Sequence, residues 1–126
     1  MSDAHLTLTI DAARRLVHAV RTAAPVDSAT QVAAMTARAG ELLRAVARRD
    51  YGILVDLRQA PLAVESRFAA ALTALRQELT RDFGRAAFLV ETQVGRLQVQ
   101  RFVREEKLAA AVFDDEAAAR AHLTAR

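Results

Sequence analysis

The chain has 126 residues and a mass of 13.7 kDa, the length of one domain able to bury a self-sufficient core. Hydrophobic residues are 52% and charged residues 26% of it, which excludes a disordered or fibrous chain, and the lack of cysteine excludes disulfides, thiol catalysis and cysteine-bound zinc. Eighteen basic residues against 15 acidic ones leave a net charge of only +3; Lys107 is the single lysine, so the sequence pI near 10.5 reflects the guanidinium pKa rather than a strongly cationic surface. The arginine clusters Arg14-Arg15, Arg48-Arg49 and Arg101/Arg104 are interrupted by Asp50, Glu105 and Glu106. No aromatic residues are interleaved with them to stack on bases, and a nucleic-acid partner is not expected. No run of 18 apolar residues and no basic leader before His5 occurs, so the expectation is a cytoplasmic protein without a transmembrane segment.

In chain order, Leu6, Leu8 and Ile10 alternate with Thr7 and Thr9, the period of a half-buried strand. Asp11-Ala12-Ala13 separates them from a Val-rich stretch, Arg15 to Arg21, which predicts an N-terminal β-hairpin whose turn lacks the usual glycine. After Pro25 the period becomes helical, with Val32, Met35, Ala39, Leu42, Leu43 and Val46 on one stripe and a capping box formed by Ser28 and Gln31. Tyr51 to Leu57 is a nearly continuous aliphatic run, the signature of a strand covered on both faces. A second amphipathic helix is predicted from Leu62 to Phe83, with Gly84 as its left-handed stop. Ala86 to Val90 is the next buried strand, Thr92 caps a helix running to about Lys107, Leu108 to Phe113 is a further strand, and Asp114 caps the last helix. The order ββαβαβαβα, with right-handed crossovers, predicts an α/β sandwich: a five-stranded mixed sheet with an antiparallel N-terminal hairpin, parallel elsewhere, flanked by about four helices.

The segments Gly52-Ile53-Leu54-Val55-Asp56-Leu57-Arg58, Gln98-Val99-Gln100-Arg101-Phe102 and Val112-Phe113-Asp114-Asp115-Glu116-Ala117-Ala118-Ala119-Arg120-Ala121-His122-Leu123 resemble the STAS-like (SpoIIAA-like) family of small bacterial proteins, over nearly the whole chain in element order. The resemblance implies a single STAS-like domain over 1–126, a regulatory binding module related in architecture to anti-sigma-factor antagonists, and more distantly to the CRAL-TRIO lipid-carrier fold. In such antagonists a serine in an Asp-Ser-Ser/Thr-Gly loop is phosphorylated to switch partner binding. The corresponding stretch here is Leu62-Ala63-Val64-Glu65-Ser66-Arg67, in which Glu65 replaces the aspartate, the glycine is absent and Ser66 is left as the candidate phosphoacceptor.

Ligands of open α/β sheets bind beyond the carboxyl ends of the strands, so Asp56, Arg58, Glu91, Thr92 and Asp114 are expected on one rim. Asp56 and Arg58 fit either a contact surface or an ion pair that orders the loop before Pro61. Ser66 with Arg67 beside it suits a phosphate at a helix start. His5, His18 and His122 lie on three different elements without metal-ligand spacing, and His18 reads as a hydrogen-bonded sheet histidine. No phosphate-binding loop, nucleophile elbow or acid/base pair is present, so neither an enzyme nor a cofactor is expected. The stripe Phe68, Leu72, Leu75, Leu79 and Phe83 is the buried face of its helix or the gate of an apolar-ligand cavity, with Arg76 and Arg81 beside it, offset by Glu78 and Asp82. The expected function is therefore non-enzymatic binding of a protein partner or of a second copy as a homodimer. The alternative is a carrier or sensor of a small apolar, lipid-like molecule with peripheral membrane association.

Overall fold

In the computed structural model residues 3–62 and 65–125 are described. The strands are β1 (Leu6–Asp11), β2 (Leu16–Arg21), β3 (Gly52–Asp56), β4 (Arg85–Leu89) and β5 (Ala111–Phe113); the helices are α1 (Ala29–Leu43), α2 (Ala69–Thr80), α3 (Gln93–Glu105) and α4 (Glu116–Thr124). The five strands form one mixed sheet in the order β1-β2-β3-β4-β5, with β1 and β2 antiparallel and the rest parallel. This is the α/β architecture and element order expected from the sequence.

A sheet that adds its parallel strands in one direction through right-handed crossovers carries every crossover helix on the same face. Accordingly Val17, Ala19, Ile53, Val55 and Phe88 bury against Val32, Met35 and Leu43 of α1, Leu72 and Leu75 of α2 and Val99 of α3. The opposite face holds a smaller core, Leu16, Leu54, Ala87 and Leu89 against Ala119 and Leu123 of α4. Because α4 lies over β3, β4 and β5, β3 and β4 read as continuous apolar runs. On β1 it does not, and Thr7 and Thr9 alternate with buried Leu6 and Leu8.

Several local expectations are corrected by backbone demands. The glycine-free hairpin closes because Arg15 takes the left-handed conformation, φ 53°, and β2 starts one residue later than the alternation suggests. α2 begins at Ala69 rather than Leu62: a tight turn over Ser66–Phe68 precedes it, and Glu65 is held by Arg21 instead of joining the helix. Asp82, at φ 65°, makes the left-handed exit from α2, and Gly84 does not have a positive φ. Gly84 is needed for space, since a Cβ there would stand 2.6 Å from the Arg49 carbonyl oxygen. α3 ends at Glu105, left-handed Lys107 follows, and β5 is confined to Ala111–Phe113. The cap of α4 is Asp115, whose carboxylate accepts the Ala118 N–H at 3.0 Å, and Asp114 instead pairs with Arg96 at 3.0 Å. Ser28 and Thr92 cap α1 and α3 as expected, accepting the N–H groups of Gln31 and Gly95. Among the described residues no helix is long and apolar enough to cross a membrane.

Candidate functional site

Asp56 is the last residue of β3, on the α4 face, and burial alone would push its carboxyl up. Arg58 reverses that. Its Nε donates to Asp56 Oδ1 at 3.0 Å, its Nη2 to Oδ2 at 2.8 Å and its backbone N–H to Oδ1 at 3.0 Å, so the carboxyl is held below its ordinary range. The same Nη2 donates to Glu116 Oε1 at 3.0 Å, and Arg120 Nε donates to Glu116 Oε2 at 2.8 Å. Hydrogen bonds from Arg120, together with the charge of Arg58, lower Glu116. This chain of four charges ties the end of β3 to the first turn of α4. Of the two readings open for Asp56 and Arg58, the geometry is that of the loop-ordering ion pair.

His18 sits on β2 opposite Leu54. Its Nε2 lies 3.9 Å from Asp56 Oδ2, beyond hydrogen-bond reach, and this buried atom has no hydrogen-bond partner. The expected hydrogen-bonded sheet histidine is thus corrected: Arg58 already occupies the carboxylate that would have served it. Burial, followed by repulsion from Arg120, holds the imidazole pKa below its ordinary value, with Asp56 and Glu116 only partly offsetting them.

Beside this network a groove of about 290 Å³ runs between the loop after β3 and the start of α3, lined by Leu57, Pro61, Leu62, Val90 and Val94 among others. Thr92 lies on its border as a cap, with Glu91 exposed next to it. Gly95 is buried in its wall, where a Cβ would stand 3.0 Å from Thr92 Oγ1. Val94 and Leu97, one turn apart on α3, are 74% and 60% exposed. The strand order never reverses, so the groove owes nothing to diverging crossovers of the kind that usually opens such a rim.

The remaining candidates separate. Ser66 has its backbone in the turn before α2, and its side chain lies outside the described residues, as do Ala63 and Val64. Arg67 is exposed, with its guanidinium 5.1 Å from the Phe68 ring centroid. Glu65 beneath it forms a buried pair with Arg21, Nη2 to Oε1 2.6 Å, each side chain 4% exposed. Leu72, Leu75 and Leu79 are core, flanked by partly buried Phe68 and Phe83. The space left beside them is about 20 Å³, the room of roughly one water. Sequence reasoning passed over Glu116 and Arg120 as network members, although their i, i+4 spacing is the standard helix ion pair. It also passed over Val94 and Leu97, whose exposure follows from α3 turning Val99 and Phe102 to the core.

Among the described residues no cluster of three or more histidines and carboxylates is placed to hold a metal ion. No family model matches this sequence, and no significant match was found to a curated protein or to a solved structure.

Proposed function

We propose that the chain is a non-enzymatic, regulatory protein-binding module whose partner seats an apolar side chain in the groove between Pro61 and Val94 and covers Val94 and Leu97. The observation that carries this reading is the exposure of those two aliphatic residues side by side on α3. The outer face of α3 is otherwise Gln93, Gln100, Arg101, Arg104 and Glu105. Two exposed aliphatics beside an apolar groove form the kind of contiguous patch that marks a protein contact, whereas isolated ones need no explanation. The ion-pair network supports the same reading, because Asp56, Arg58, Glu116 and Arg120 are satisfied by one another and leave the apolar surface, with exposed Glu91 at its border, as the feature a partner can read. The resemblance to the STAS-like family points the same way. A carrier of small apolar molecules is disfavoured by the roughly 20 Å³ beneath α2, far below the several hundred needed for a ligand.

Ser66 is the candidate switch of this module. A phosphate there would add nearly two negative charges beside Glu65 and one short segment away from Leu62, which lines the groove.

The test is photo-crosslinking in the native host with a crosslinkable residue at Leu97 and, as a control, at Thr36 on α1. Capture of one defined protein or of a second copy from Leu97, abolished by Val94→Asp, is expected. Equal labelling from both positions, or none from Leu97, overturns the reading.

A further inference from the structure

The opposite end of the sheet carries a different surface. The register places Leu16, Gly52 and Arg85 in one row across β2, β3 and β4, a span of about 10 Å at the usual strand spacing. The residues just before that row, Arg14 and Arg15 in the hairpin turn and Arg49 and Tyr51 ahead of β3, are thereby gathered with Arg85 around one open concavity of about 910 Å³. Among the described residues that line it, four arginines from three separate stretches of chain stand against one carboxylate, Asp50. Arg14 pairs with Asp11 while remaining largely exposed, and Arg85 donates to the His122 carbonyl at 3.3 Å. The side chains of Arg15 and Arg49 have no partner among the described residues. Arg49 also lines the groove of about 1050 Å³ between α1 and α2, but there the arginines share the lining with Glu41, Glu78 and Asp82, and Arg48 and Arg81 are both paired with Glu78.

Arg15 adds a second, independent observation. It occupies the left-handed region at φ 53°, where glycine is the cheapest residue and a long side chain is strained. Among the described residues, Asp82 and Lys107 are the other non-glycine residues in this region, and of the three only Arg15 lines the concavity. The guanidinium fork matches phosphoryl oxygens two at a time, and is only weakly hydrated. We propose that this concavity binds a small ligand bearing two or more phosphoryl groups in tandem, gripped from opposite sides by Arg15 and Arg85 with Arg49 between them. Its volume suits a molecule of nucleotide size, and Tyr51, partly packed on the main core, is among the residues that line it.

The proposal is independent of the rim reading and is tested on the full chain by calorimetric titration with sodium tripolyphosphate at physiological salt, with orthophosphate alongside. Saturable binding of tripolyphosphate, at least tenfold tighter than orthophosphate, is expected. Arg49→Ala should weaken it about tenfold, the worth of one charged hydrogen-bonding partner, and Arg15→Gly similarly. Arg15→Gly relieves the turn, so its urea midpoint should be no lower than that of the parent while binding falls; a purely structural arginine would not separate the two. Arg104→Ala, on the outer face of α3, should leave affinity within twofold. The proposal is overturned by no saturable binding, by an equal loss in Arg104→Ala, or by binding that appears only with a single-stranded oligonucleotide or with anionic vesicles and not with tripolyphosphate.

Discussion

The two ends of the parallel sheet are built from the same residue types and differ in what those residues are free to do. At the carboxyl end Asp56, Arg58, Glu116 and Arg120 close on one another, and Arg21 closes on Glu65. At the amino end Arg15 and Arg49 close on nothing among the described residues. Charge at the first end is architecture, and the apolar pair Val94 and Leu97 is what remains to be read; at the second, charge is itself the readable feature. An overall excess of three positive charges conceals this, because the average runs over a saturated end and an unsaturated one.

The difference has a thermodynamic signature, since substitutions at the two ends should move stability in opposite directions. The largest effect is expected from Glu65→Ala, which strands the buried Arg21 guanidinium and should cost about 3 to 5 kcal/mol in urea unfolding. The double change Arg21→Met/Glu65→Leu should recover most of that loss, because a well-packed apolar pair replaces the ion pair. Asp56→Ala comes next, at about 1 to 3 kcal/mol, since it removes the acceptor of three Arg58 hydrogen bonds and leaves that guanidinium only Glu116. Thr92→Ala, removing the cap of α3, should cost about 1 kcal/mol. At the amino end the sign reverses: Arg15→Gly should stabilise by up to about 1 kcal/mol, strain relief being partly offset by the flexibility of glycine in the unfolded chain. Arg49→Ala should stay within about 0.5 kcal/mol of the parent.

Acid sharpens the same contrast. His18 and Asp56 both have depressed pKa values in the folded protein, so in each case the unfolded chain binds protons more readily. Stability is therefore fullest above the unfolded histidine value near pH 6.5 and declines as pH falls, first through His18 and then, below about pH 4, through Asp56. The urea midpoint should drop between pH 7.5 and 5.5 in the parent. His18→Gln should flatten that segment and leave the lower one in place.

Much of the fold was legible because its signals are local. Alternation in β1, the continuous apolar runs of β3 and β4, and the caps Ser28 and Thr92 each depend on neighbours in sequence. The errors fall where a distant backbone decides. Gly84 reads as a helix stop, but its lack of a Cβ serves the Arg49 carbonyl. Leu62 to Phe68 reads as the start of α2, but Glu65 answers to Arg21, 44 positions away. Asp114 and Asp115 are equivalent as caps until β5 ends at Phe113. Of the candidate site, Asp56, Arg58 and Thr92 could be placed on the rim from strand ends alone. The gathering of Arg15, Arg49 and Arg85 could not, because the arginines are dispersed along the chain and only the pairing of Leu16, Gly52 and Arg85 across three strands brings them together. The same dispersal that argues against a basic tract in the sequence is what distributes the cluster over three stretches of chain in the fold.

The most direct test of this division is a backbone amide NMR titration of the full chain with tripolyphosphate. Shifts are expected only in the hairpin turn at 13–16, at 49–52 and at 84–85, with the groove residues Leu57, Leu62, Val90 and Val94 unmoved. Shifts centred on Arg58 and α3, or spread evenly over every exposed arginine, would contradict that division.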